Sequence, residues 1–448
     1  MKKVLLSAAA LLFSVYAANA QESVVKEAKS AKSDPVKAAE ILEPALVDPS
    51  TANDPETWKL AGDFQKSIYD GENQKLYFLR NGLPSDSPVD TLKLGNSITK
   101  MYEYYLKCDE IEQAKVKSGE LKKPKLRKKI VKVLADPSVR ENMYVLGGTA
   151  LNNGDYANAV KILGLYIDTS KNPIFETEDA VKNDTLVPFY AAYATYAAYS
   201  IKDKDAVIKY AAVGKEHKEE GFRALWALAE LYKSEEAADS VQWLATIKEG
   251  VEKFPTQEYF VANLMDYYIQ KNKVDEGLTQ IDAILAKNPS PYFLYVKGVL
   301  QYTKQDYEAA IKTFNEIIAQ ESDYKAEAYS KIGDCYFFPA QVIVEENSKL
   351  SMDDPKYATN EAKIKELYEK AKPFYEKAKE LKPDNKQLWG QFLLNIYWKL
   401  NKAEYDALEK DTLPPYNDIN EPNNERKGLV APVANHADVR RYILILAA

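Results

Sequence analysis

Residues 254–323, "FPTQEYFVANLMDYYIQKNKVDEGLTQIDAILAKNPSPYFLYVKGVLQYTKQDYEAAIKTFNEIIAQESD", decide the fold. Pro255 and Pro289 stand 34 residues apart, and each closes an amphipathic run of helix length. Between them the pattern reads helix, short polar turn, helix. The next copy repeats the plan, with Gly298 in its first helix and Ala310 and Phe314 in its second. A third copy opens with "AEAYSKIGDCYF", where Gly333 lies 35 residues after Gly298. Self-similarity at this period marks a helical repeat array.

The residues of these copies resemble the tetratricopeptide (TPR) pattern of aromatic, Leu-Gly, aromatic, then Ala, aromatic and a closing Pro. The chemistry suits the pattern: Gly or Ala lets the two helices of a hairpin touch, and aromatics fill the gap to the next hairpin. The resemblance implies an all-α fold, a right-handed superhelical solenoid of about nine hairpins with three loop insertions. Its strongest second copy is "ENMYVLGGTALNNGDYANAVKILGLYI", with Leu146-Gly147, Gly154-Asp155-Tyr156, Ala159 and Leu163 in the family's places.

Outward from there, the array is expected over residues 55–410, behind N-terminal capping helices in 21–54 and before an extended tail in 411–448. Trp58 and Gly62 occupy first-helix places, and Gly95 follows Gly62 by 33 residues. The period then slips: Gly95 to Gly147 is 52 residues, with the surplus near 108–125. Further surpluses fall at 170–184 and 337–360, and all three are expected as loops. Ala194 and Ala206 read as the close-contact residues of the next hairpin. The copy that follows is degenerate, with Trp243 where a small residue is expected.

The N-terminus "MKKVLLSAAALLFSVYAANA" has Lys2 and Lys3, an apolar core from Val4, and Ala18-Asn19-Ala20 before Gln21. That is a secretory signal pattern, with residues 1–20 cleaved. Its apolar stretch is short for a span of ~20 residues, and no cysteine follows it to take a lipid. The expected location is the periplasm of a Gram-negative envelope, without a lipid anchor. Without Lys2 and Lys3 the chain keeps 58 Lys+Arg against 67 Asp+Glu, a net of about −9. Mild acidity with no basic half argues against nucleic acid. No later segment is apolar enough to span a bilayer, so membrane association is expected to be peripheral at most. Cys108 and Cys335 fit buried small apolar residues better than a bridge. His217 and His436 are the only histidines, which disfavours a histidine-based metal or general-base site.

No nucleophile–base–orienter set, Walker loop or zinc motif is present, so no catalytic, metal or cofactor site is expected. The expected function is a non-enzymatic scaffold for envelope proteins or peptide segments. Tyrosine is the outlier, at 32 against 14 Phe and 5 Trp. In a TPR array the first helices line the concave side, which implies a partner-binding face of Tyr259, Asn263, Asp266, Tyr292, Tyr295, Tyr302, Asp334 and Phe337. The bland reading of such tyrosines is packing between hairpins. The alternative function, also from resemblance, is a glycan-binding outer-membrane component similar to the SusD family, although Gln21 stands where that family's lipidated cysteine belongs.

Two smaller features complete the reading. The basic run "KVKSGELKKPKLRKK" offers Lys122, Lys123, Lys125, Arg127, Lys128 and Lys129 to an anionic partner, or is a solvated loop. Four Asp-Ser/Thr-aliphatic triplets, at Thr91, Thr185, Ser240 and Thr412, resemble an O-glycosylation signal of one group of Gram-negative bacteria. Helix capping by the Asp is the bland account.

Overall fold

A computed structural model describes residues 22–234 and 238–412, with the side chains of 410–412 outside the description. The expected signal segment 1–20 and nearly all of the tail 411–448 therefore lie outside the described residues. Every regular element among the described residues is helical. The chain divides into two compact units, Met1–Trp243 and Leu244–Ala448. The division falls inside the helix Ser240–Lys253, at the Trp243 of the degenerate copy.

Unit 1 starts with a helix at 22–30 and the helix Pro35–Val47, which pack around Ala28, Leu42 and Phe64. Next come Pro55–Arg80 and Thr91–Lys117, then the short helix Arg127–Leu134. The hairpin Pro137–Asn152/Tyr156–Ser170 follows, then Val187–Ser200/Lys204–Gly214 and Gly221–Lys233. Unit 2 stacks Glu258–Gln270/Val274–Lys287, Pro291–Thr303/Tyr307–Ile318, Lys325–Asn347/Pro355–Leu381 and Gly390–Leu400/Lys402–Thr412.

Helix starts are written in the sequence. Asp34-Pro35, Asp54-Pro55, Asp136-Pro137, Ser290-Pro291 and Asp354-Pro355 each pair a capping side chain, which accepts a first-turn N–H, with a proline at the first helical position. The turns inside the hairpins share one geometry. Gly154, Lys202, Asn272 and Gln305 all take positive φ, between 55° and 74°. The next residue's N–H then bonds the carbonyl five positions back, as in Asp155→Ala150, Asp203→Ala198, Lys273→Tyr268 and Asp306→Gln301. This is the left-handed cap that satisfies orphan carbonyls at a helix end. Three of the four positions do without glycine, so the turn is imposed by the packing of the two helices.

Helix contact depends on glycine where the pattern required it. A Cβ on Gly147 would lie 2.5 Å from Leu163, and one on Gly298 2.5 Å from Phe314. In both cases the partner is 16 residues on. Gly333 and Gly62 make the same contact with Tyr375 and Tyr105, at 2.7 and 2.4 Å, but 42 and 43 residues on. These two hairpins are elongated: Pro55–Arg80 and Pro355–Leu381 run 26 and 27 residues.

That elongation corrects the expected loops. Most of the first surplus is helix, because Thr91–Lys117 continues past the buried Cys108. Gly95 does not open a new hairpin; its helix is the second of the Gly62 hairpin, and its Cβ position faces Ile162. The third surplus extends Lys325–Asn347 through Phe337 and an internal Pro339, leaving a short connection before Pro355. The second is two helical turns, Pro173–Phe175 and Asp179–Lys182, whose Ile174, Phe175 and Val181 are buried in the unit 1 core. Apolar side chains at helical spacing continued through each surplus, and they outweighed the broken period.

One contact has no sequence signal. A Cβ on Gly214 would meet backbone, 2.5 Å from Ala192 N and 2.7 Å from its Cα. Gly214→Ala is therefore expected to cost ~1–3 kcal/mol or more in urea unfolding, since backbone cannot swing aside. Gly147→Leu should cost a similar ~1–3 kcal/mol. Gly148→Ala, inside the same helix but meeting nothing within 4 Å, should leave the midpoint in place or add up to ~1 kcal/mol of stability.

Candidate partner-binding surface

The structure does not assemble the expected face in unit 2. Tyr292, Tyr295, Asn263, Asp334 and Phe337 are each 5% exposed or less. Tyr295 lies between Phe314 and a stacked Tyr324, with centroids 5.9 and 6.0 Å away. The Tyr292 hydroxyl donates to the Glu258 carbonyl at 3.4 Å. Phe337 stacks on Tyr368 at 5.4 Å and meets Phe392 edge-on at 5.3 Å. Asn263 donates to the carbonyl of Tyr259 at 2.8 Å. Asp334 accepts from Lys331 and from the Tyr375 hydroxyl, both at 2.7 Å. Only Tyr259, Asp266 and Tyr302 keep partial exposure. The correction has a simple cause: spacing of three and four defines a stripe, and this one faces the neighbouring hairpin rather than solvent.

Unit 1 holds the partly exposed aromatic face that the sequence reading did not single out. It comes from three successive first helices. Tyr144, on Pro137–Asn152, stacks on Tyr190 of Val187–Ser200 at 4.9 Å. On the same helix Phe189 packs against Tyr193 at 4.9 Å and against His217 at 5.3 Å. Tyr199 and Tyr196 meet Trp226 of Gly221–Lys233 at 5.1 and 6.0 Å. All of these side chains are partly exposed.

A charge pair is fixed in the middle of this face. Arg223 Nε donates to Glu220 at 2.6 Å, and its guanidinium lies 5.2 Å over the Tyr193 ring. The bond from Arg223 holds the Glu220 carboxyl below the usual range, so the pair stays ionised at neutral pH. Tyr193 also donates to Glu220 at 3.2 Å. Behind the face, buried Arg140 bridges to Asp184 at 3.0 Å, and the Tyr166 hydroxyl donates to the same carboxylate. The signal in the sequence was the run "PFYAAYATYAAYS", in which aromatics alternate with alanines too small to cover them.

The basic run behaves in two ways. Arg127 is used internally, donating to Asp109 at 3.0 Å and to the Pro173 carbonyl at 2.8 Å. Lys122, Lys123, Lys125, Lys128 and Lys129 are exposed. Among the triplets, Asp90 caps through Lys93 N–H and Asp239 accepts from Val241 and Gln242 N–H, whereas Asp184 accepts from Leu186 N–H in the turn ahead of a helix whose start has no side-chain cap. Thr91, Thr185 and Ser240 are exposed beside them. The side chain of Thr412 lies outside the described residues. Cys108 and Cys335 are free and buried, and burial pushes the Cys108 thiol up to about 12.

Residues 263–325 and 361–385 match tetratricopeptide repeat family models. No curated protein matches the chain significantly. Among solved structures, a tetratricopeptide repeat protein from Parabacteroides merdae is 19% identical, covering 57% of this chain and 98% of its own, with a TM-score of 0.32. An IFIT1 monomeric mutant with Gppp-AAAA is 17% identical over 80% of this chain and 76% of its own, TM-score 0.34. The human IFIT1 dimer with PPP-AAAA is 15% identical over 78% and 72%, TM-score 0.32. Likeness at that level carries nothing about partners. The chain thus carries tetratricopeptide repeats in an all-helical fold, the class of repeat that serves as a protein-interaction scaffold. None of these matches supports the SusD-type glycan reading.

Proposed function

We propose that this chain is an exported, non-enzymatic scaffold of the periplasm that holds a segment of another envelope protein against the aromatic face of unit 1. The repeat class supports the scaffold, and residues 1–20 support export. The observation that carries the site is the ring contact of Tyr144 with Tyr190, and of Tyr196 and Tyr199 with Trp226, across three successive first helices, with the Arg223–Glu220 pair fixed against Tyr193. Tyr, Trp and Arg supply most anchoring energy at protein interfaces, because they bury area at little entropic cost and keep a polar handle. The pre-set ion pair offers one donor fork and one acceptor without needing to be ordered on binding.

The test places a photo-crosslinking residue at Tyr193 in cells and identifies the attached protein. Trp226→Ala is then expected to weaken the purified partner's binding ~10-fold or more, with the melting transition near that of the parent. Equal crosslinking from Tyr259, or full affinity in Trp226→Ala, would overturn the face. N-terminal sequencing that found Met1 in place of Gln21 would overturn export.

A further inference from the structure

The basic run leads to a second surface, independent of the aromatic face. Along the two long helices before it, every lysine from Lys59 to Lys115 (Lys59, Lys66, Lys75, Lys93, Lys100, Lys107, Lys115) has a carboxylate within 3.4 Å. At Lys117 the pattern stops. Lys122, Lys123 and Lys125 on the connection, and Lys128, Lys129 and Lys132 on the short helix, are exposed, and none pairs with a carboxylate among the described residues. Three acids of the adjoining chain are engaged: Glu120 holds Lys115, Asp109 holds Arg127, and Asp136 caps the following helix.

The segment beneath these lysines is fixed. Glu112, 1% exposed, accepts the backbone N–H groups of Lys125, Leu126 and Arg127 at 2.6 to 3.1 Å. Leu126, Ile130, Val131 and Leu134 are buried below. Lys128, Lys129 and Lys132 are spaced to share the opposite, outward face of the helix. The one arginine of this segment is turned inward, and every outward charge is a lysine.

We propose that this surface docks the protein on a bilayer bearing anionic phospholipid head groups. A specific acidic protein partner would call for a planar fork with a fixed bidentate mate. Flexible ammonium point charges with no aromatic anchor and no pocket instead suit a fluid sheet of phosphates. Each lysine near such a surface adds an increment that salt screens. Against a chain that is net acidic overall, the local excess of positive charge also sets the orientation: this face turns to the membrane and the acidic remainder away.

The experiment is co-sedimentation of the full chain with phosphatidylcholine vesicles and with vesicles in which phosphatidylglycerol replaces part of the lipid. Binding is expected to the anionic vesicles alone, falling steeply as salt rises. The variant Lys122→Gln/Lys123→Gln/Lys125→Gln should lose on the order of 100-fold in partitioning. The same should hold for Lys128→Gln/Lys129→Gln/Lys132→Gln, since all six residues are exposed and should leave melting unchanged. Lys363→Gln/Lys365→Gln/Lys370→Gln, on an exposed face of unit 2, should bind as the parent does. Absent or salt-insensitive binding to the anionic vesicles, equal binding to neutral ones, or an equal loss from the unit 2 variant would each overturn the proposal. So would retention of a poly-glutamate peptide by a chain that ignores the vesicles. Neither result bears on the aromatic face, which is tested by crosslinking.

Discussion

Tyr292→Ala combined with Tyr295→Ala is expected to unfold unit 2 at a markedly lower urea concentration than the parent. Both rings are 2% exposed or less, and both are wedged against Tyr324. Truncating a buried aromatic to alanine costs about 3–5 kcal/mol, the lost transfer energy plus the cavity. The two losses share Tyr324, so they should couple rather than simply add. Tyr302→Ala, at a partly exposed ring beside Lys331, should cost less. A double variant that melted with the parent would place these tyrosines on an open surface after all, and would restore the unit 2 stripe as a binding face.

Asp334→Ala is expected to be comparably damaging for an electrostatic reason. The Lys331 and Asp334 side chains are 8% and 4% exposed and meet at 2.7 Å. Tyr375, fully enclosed with its hydroxyl pushed well up, chiefly by burial, donates to the other carboxylate oxygen at 2.7 Å. Removing one member of a buried pair strands the other charge, at about 3–5 kcal/mol. Replacing both members, as Lys331→Met/Asp334→Leu, should recover only part of the loss: no charge is stranded, but the enclosed Tyr375 hydroxyl still loses its acceptor. An exposed acid waiting for a basic peptide would instead change stability by at most ~0.5 kcal/mol. Equilibrium unfolding of the three variants separates these outcomes; an Asp334→Ala midpoint equal to the parent's would show that the pair is not buried in solution.

Much of the architecture was legible because its signals are local. Asp-Pro and Ser-Pro pairs announce helix starts through one side-chain acceptor and one fixed φ. Gly147 and Gly298 announce close helix contacts, each 16 residues before the side chain it meets. The same rule failed at Gly62 and Gly95. Their 33-residue spacing looked like one more repeat, yet Pro55–Arg80 runs on as helix and takes Tyr105 as its partner. A repeat period counts residues, whereas an elongated hairpin adds helical turns to both arms and keeps the same contacts. Gly214 carried no signal, because it ends the second helix of its hairpin, where the repeat pattern places no glycine, and meets the backbone of the helix before it.

The sequence by itself determined that the chain is helical, that it pairs its helices as hairpins, and which residues start them. It also determined that acids and lysines are mixed everywhere except in one short basic run. Only the tertiary structure decided which tyrosines are core and which are surface. Tyr295 and Tyr193 both sit on apolar, tyrosine-bearing first helices, and helix spacing alone does not tell which of the two is enclosed. Tyr295 is enclosed because Phe314 and Tyr324 close over it, whereas Tyr193 keeps partial exposure beside Arg223. Burial depends on what a neighbouring hairpin brings, and that neighbour lies tens of residues away in the chain.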